Sequence, residues 1–388
     1  MSGLPSHRAR LFTLLSASSL TVMAGATIAP GLGLMQEHYG GDPTLVKLVL
    51  TLPGLFTAAA APLAGWLSDR HGRRGVLLAG LILYALAGTQ GLWAGSLTEL
   101  LVGRAVLGMA VGFIMTCATT LVLEYWEGEE QRRALGWQNA FMSFGGVVFQ
   151  LLGGFLAEAL GWRGPFWVYA APLPLALVAW FLLPEPVRHV QRGGPPDPAT
   201  RRRLRGFLML LSALAFVHMV VFYYLPVQTP FLLKEIGVRS PSAVAAAISG
   251  ATLFAGLASL QYARLRRRLG IGAGFALAFA LVGLGYGVVF LQAGYWAIIA
   301  GLSVASLGFG LARPNFTAWL HAHVPGPARA SAVAVMSSSI FLGQFCTPFL
   351  SAPLIRAFGL PGAFLASGLL LSALGVWLWR RESRSATT

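Results

Sequence analysis

The chain has 388 residues; 56% are hydrophobic and only 11% charged, against about 25% charged in ordinary soluble chains. That balance excludes a water-soluble protein of two or three domains and points to a helical membrane protein. A net charge of +15 would suggest nucleic acid in a soluble protein, but the cations sit in short segments between apolar runs, with no basic patch interleaved with aromatics, so no nucleic-acid partner is expected.

Apolar runs of membrane-spanning length recur from end to end. In order, they predict spans near 11–34, 44–66, 75–94, 98–122, 135–158 and 164–183, then near 206–229, 241–262, 271–292, 295–317, 330–352 and 361–379. The first follows His7, Arg8 and Arg10 and is too long for the core of a cleaved leader, so it is expected to remain as a span. The seventh is interrupted late by Pro226. Residues 184–205 are the one long polar connection, with Pro184, Pro186, Gly193, Gly194, Pro195, Pro196 and Pro198 ahead of Arg201-Arg202-Arg203. Proline and glycine bar a stable helix there. The expected organisation is a six-helix bundle over 1–183, a cytoplasmic linker over 184–205 and a second six-helix bundle over 206–388. With the N-terminus inside, the outer segments hold only Lys47, Arg163, Lys234, Arg239 and Arg356, against twenty-one arginines in the inner ones. That asymmetry predicts both termini in the cytoplasm. Cys117 and Cys346 fall within spans and read as small packing residues, and 47 glycines suit helices that pack by close approach.

Between the second and third spans lies Gly65-Trp66-Leu67-Ser68-Asp69-Arg70-His71-Gly72-Arg73-Arg74-Gly75-Val76-Leu77. Gly65 and Gly72 permit close helix approach and a tight reversal. The string resembles the loop signature of the major facilitator superfamily, Gly-x-Leu-x-Asp-Arg-x-Gly-Arg-Arg, and every defining position matches. The resemblance implies an all-α membrane fold of twelve transmembrane helices in two pseudo-symmetric bundles. It also implies alternating access and a cavity lined by helices 1, 4, 7 and 10. Gly65, Asp69, Arg70, Gly72 and Arg73 would form a conformational latch. In it Asp69 docks on the inner end of helix 11 near Ser331, and Arg73 pairs with an acid at the inner end of helix 4, where Glu124 stands. The alternative is that Arg73 and Arg74 are topology charges alone. A second copy, Ala263-Arg264-Leu265-Arg266-Arg267-Arg268-Leu269-Gly270, lies between spans 8 and 9, with Arg267 where the first copy has Asp69.

Within the spans, Arg104 is the lone cation of the fourth, and it cannot lose its proton at physiological pH. Its surroundings, through Gly108 and Gly112, resemble the family signature Arg-x-x-Gln-Gly with Leu107 in place of Gln, which implies a tie to proton transfer. The alternative is a side chain snorkelling outward. Span 5 carries Gly145-Gly146 and Gly153-Gly154, but Phe149-Gln150 stands where drug-proton antiporters have Gly-Pro. Gln150 faces the cavity or a neighbouring helix. His218, central in span 7, is the mid-membrane group that could exchange a proton near neutral pH, or else a histidine satisfied by its neighbours. Tyr223, Tyr224 and Gln228 follow it. Arg313 is expected to close span 10 near the cytoplasm, binding an anionic substrate, pairing with Glu382 or anchoring the helix. Ser337, Ser338, Ser339 and Gln344 in span 11 read as interhelical hydrogen-bond partners.

Metal, phosphate-loop and nucleophile motifs are absent, so neither an enzyme nor a cofactor is expected. The expected protein is a monomeric secondary transporter of the cell (inner) membrane, nearest the bacterial drug-exporter branch. It would move a small organic solute by proton-coupled efflux, with protons as a candidate second partner. One fact presses against that reading: all 13 acids fall in loops or at helix ends. A facilitator or uptake carrier for an organic anion, sugar or metabolite is the alternative, and a transporter-like receptor the third reading.

Overall fold

The computed structural model describes residues 7–185 and 198–385. Among them the chain forms helices and no strand: α1 (His7–Ala26), α2 (Leu32–Tyr39), α3 (Pro43–His71), α4 (Arg73–Thr89), α5 (Leu97–Tyr125), α6 (Gly128–Leu160), α7 (Pro172–Leu182), α8 (Pro198–Phe222), α9 (Tyr224–Glu235), α10 (Pro241–Arg266), α11 (Ile271–Phe290), α12 (Tyr295–His323) and α13 (Gly326–Ser385). Eleven helical segments are long and apolar enough to cross a membrane, and the last of them, Ser331–Ser383, holds 53 residues. Gly359, with φ of 69°, breaks it into two, so the chain makes twelve passes.

Most differences from the expected spans have a simple origin. Hydropathy fades where a helix meets the headgroups, but its peptide hydrogen bonds do not, so α3, α5 and α12 run on to His71, Tyr125 and His323. The first pass is two helices, because the chain tightens into a 3-10 turn at Ala29–Gly31 around Pro30. The seventh is also two, joined at Tyr223 just ahead of Pro226. Residues 186–197 of the expected linker lie outside the described residues. Its basic end is helix rather than linker, since α8 starts at Pro198, where a proline at the first helical position is tolerated. Ends are capped as the sequence allows: Asp42 accepts from the Thr44 amide at 2.8 Å to start α3, and Ser96 from the Glu99 amide at 3.2 Å to start α5.

Contacts divide the chain into two units, Met1–Gln191 with Ser240–Ala245, and Arg192–Arg239 with Ala246–Thr388. In the first, α5 packs on α3 and α4, and α1 on α5 and α6. In the second, α11 packs on α12 and α13, and α13 on α8. Large apolar side chains such as Leu86, Phe144, Phe181, Leu260 and Leu284 are exposed, as befits helices whose solvent is lipid. Cation–ring pairs mark the interfacial belts: Arg70 over Trp66, Arg74 over Trp180, Arg163 over Trp162 and Arg381 over Trp377.

Candidate functional site

In the first unit, the signature string is mostly helix. α3 continues through Asp69 and Arg70, and Gly72 alone joins it to α4. Its φ of +89° is a region that L side chains avoid, and a Cβ there would lie 2.7 Å from the Glu185 carboxyl carbon. Glu185 accepts from the Arg73 amide at 2.6 Å and the Arg74 amide at 3.1 Å, so it caps the positive end of α4. Arg74 also donates to the Trp180 carbonyl. Arg73 Nη2 lies 2.9 Å from Glu124, with the two side chains 23% and 14% exposed. It lies 4.0 Å from Asp69, which is 77% exposed. The close approach expected at Gly65 is not made: a methyl there would meet nothing within 4 Å.

The second copy keeps the cap and loses the acid of the turn. Glu382 accepts the Gly272 amide at the start of α11, as Glu185 serves α4. That carboxylate is therefore spent on a helix end rather than on Arg313, the partner weighed for it from sequence. Neither acid stands out as a cap in the sequence; the available signal is an acid two or three residues past the last apolar run of each half.

Inside the first unit, Arg104 is 1% exposed and does not snorkel outward. Its Nε donates to the Val49 carbonyl at 2.8 Å, its Nη1 to the Tyr169 hydroxyl at 3.2 Å, and its Nη2 to the Ala24 carbonyl. The Tyr169 hydroxyl donates to the same Ala24 carbonyl at 2.9 Å, and the guanidinium lies 5.4 Å from the Tyr169 ring centroid. Burying a cation within a span costs up to about 3 kcal/mol on insertion scales, which these acceptors offset. Gln150 is buried on α6. Gln138, overlooked in the sequence, donates to Ser18 at 2.8 Å and Thr119 at 3.1 Å.

Inside the second unit, His218 on α8 is 8% exposed and sits among Phe279, Phe309 and Phe316, with ring centroids 5.9, 5.5 and 5.3 Å away. Its Nδ1 is buried without a hydrogen-bond partner. Tyr224 is packed against Phe364 and Tyr286, whereas Tyr223 is half-buried at the joint of α8 and α9. Gln228 donates to Ser351 at 2.9 Å, and Gln344 is buried. Arg313 does not close its helix, since α12 continues to His323; it stands in mid-helix, exposed. Ser338 and Ser339 donate to Ala334 and Val335, one turn back on their own helix, not across helices as expected. Asn315, absent from the sequence candidates, ties three helices together. It accepts from Tyr262 at 2.9 Å and donates to the Ile271 carbonyl at 3.0 Å.

Comparison with known proteins follows the same lines. The family model described as Major Facilitator Superfamily matches residues 14–239 and 210–388. The chain is 21% identical over 386 residues to the quinolone resistance protein NorA of Staphylococcus aureus (strain MSSA476), covering 97% of each. It is 26% identical over 218 residues to the multidrug transporter protein MdtP of Bacillus subtilis (strain 168), where the match takes in 55% of this chain and 40% of that protein. In backbone it is similar to a bacterial homolog of the human lysosomal transporter Spinster, with a TM-score of 0.76, 18% identity and 98% of both chains covered. It is similar also to a D-xylose-proton symporter, with a TM-score of 0.77 and 16% identity over 95% of this chain and 97% of that one.

Proposed function

The chain belongs to the major facilitator superfamily, and on that premise we propose that it exports a small organic compound across the cell membrane in exchange for protons. The observation that carries this is the similarity to a quinolone resistance protein along 97% of both chains. The export cycle is alternating access by a monomer whose two termini face the cytoplasm, an orientation supported by the crowding of arginine into one set of connections. The segment from Gly65 to Arg73, with Asp69, Arg70, Gly72 and Glu124, serves as the conformational latch. Gln150, Tyr223, Tyr224, Arg313 and Gln344 belong to the solute pathway. His218 is the group that exchanges the proton, a role supported by its unpartnered Nδ1 at mid-span. No cofactor or catalytic step is involved.

A second reading has its own support. Among the described residues no acid stands at mid-span to hold a cation, and Arg313 is accessible, which favours an uptake carrier for an organic anion. Proteoliposome flux separates the two. A quinolone should move faster when a pH gradient is imposed, and His218→Phe, which suits the phenyl cage, should leave the protein folded while abolishing that acceleration. Flux indifferent to the gradient, or flux of organic anions alone, removes the exporter reading.

A further inference from the structure

We infer that Arg104 is a positioning residue that closes two peptide carbonyls, one left open where α1 ends and one where Pro53 interrupts the hydrogen-bond ladder of α3, and that it neither exchanges a proton nor meets the solute. In α3 the Val49 carbonyl would normally bond the amide four residues on, but that residue is Pro53, which has no N–H. In α1 the Ala24 carbonyl would bond Ile28, but the chain has tightened and the Ile28 amide bonds Gly25 instead, at 3.2 Å. In a dry interior each open carbonyl is costly. Arg104 Nε takes the first and Nη2 the second, while Nη1 holds Tyr169, which also reaches Ala24. A planar guanidinium presents donors along several fixed directions at once; an ammonium does not. At 1% exposure the side chain has no face left for a solute or a water chain.

The second half of the chain supplies an internal control. Thr57 donates to Gly108 and Ser259 to Gly310; Tyr84 donates to Leu20 and Tyr286 to Val221. The donors in each pair, and the two glycines, stand the same number of residues apart. That same separation carries Pro53 to Ala255 and Arg104 to Ser306. Ala255 has an amide, α10 runs unbroken through it, and no arginine is present. The arginine goes with the proline. At one of the prolines inside second-half helices, Pro314 removes the amide for the Gly310 carbonyl, and the Ser259 hydroxyl closes it at 2.7 Å.

Hydrogen–deuterium exchange on the full chain in detergent micelles tests this. Arg104→Gln and Arg104→Lys should both raise exchange around Ala24 and around Val49 about tenfold, because a lost charge-assisted bond to a buried carbonyl opens both segments. Adding Pro53→Ala to Arg104→Gln gives Val49 an amide and should restore protection in α3 while α1 stays open. Pro62→Ala, in the same helix but away from Val49, should restore nothing. Wild-type protection at both segments in Arg104→Lys would overturn the inference, as would equal rescue by the two proline variants. Should Arg104→Gln alone fail to fold, recovery of purified protein by Pro53→Ala and not by Pro62→Ala supports it, and no recovery overturns it. Quinolone flux by the Arg104→Gln, Pro53→Ala protein should keep the wild-type pH midpoint; a moved midpoint would show that Arg104 takes part in proton exchange. The exchange arms decide the matter whether or not a quinolone is carried.

Discussion

In the first unit Thr57 reaches from α3 to the Gly108 carbonyl of α5, and in the second Ser259 reaches from α10 to the Gly310 carbonyl of α12. Tyr84 and Tyr286 tie corresponding helices in each unit, and Glu185 and Glu382 cap corresponding helix starts. What fills these matching frames differs. The first unit encloses a guanidinium bonded to carbonyls and a tyrosine, the second an imidazole among phenyl rings. The joints follow from how helices pack without water, so both halves keep them. The interior groups are free of that constraint, so they have diverged, and it is there that proton or solute chemistry can be lodged.

The sharpest way to break this comparison is at the glycines. A Cβ on Gly108 would lie 2.8 Å from Pro53 Cα, and one on Gly310 would lie 2.8 Å from Ala255 Cα. Backbone cannot step aside as a side chain can, so Gly108→Ala and Gly310→Ala should each destabilise by about 1–3 kcal/mol, read as a fall in melting temperature in detergent. A neutral outcome at one of the two would show that the halves do not share this joint. The hydroxyls come next and should differ. Thr57→Val removes one bond from a carbonyl that the Gly112 amide can still serve, at about 0.6 kcal/mol. Ser259→Ala leaves the Gly310 carbonyl with no amide, because of Pro314, and should cost about 1 kcal/mol. Equal losses would argue against the proline as the cause. The smallest effect is expected at the caps. Glu185→Gln and Glu382→Gln should each cost about 0.5 kcal/mol, with the half-buried Glu382 above the exposed Glu185.

How much of this was legible beforehand depended on which force wrote the signal. The passes were readable because hydrocarbon thickness imposes a length on every apolar run. The Arg73–Glu124 pair was reachable from the motif, since both residues sit at the same end of adjacent helices. The sequence places Arg313 at the end of α12 because apolarity fades there, whereas the helix ends where its peptide hydrogen bonds do. The partners of Arg104 were hidden for another reason: they are main-chain carbonyls, which leave no letter in a sequence. Their visible traces were two prolines, Pro53 within the second span for Val49 and Pro30 beyond α1 for Ala24. The aromatic setting of His218 comes from α11 and α12, and no local pattern around residue 218 announces it.

Gly359 has a practical corollary. One residue in the left-handed region is the whole connection between the last two passes, so there is no slack ribbon at that joint. A protease, which needs several residues of extended chain, would find little to bite there. An inserted tag would have to push two packed helices apart to be accommodated, so reporters of sidedness belong at the chain ends.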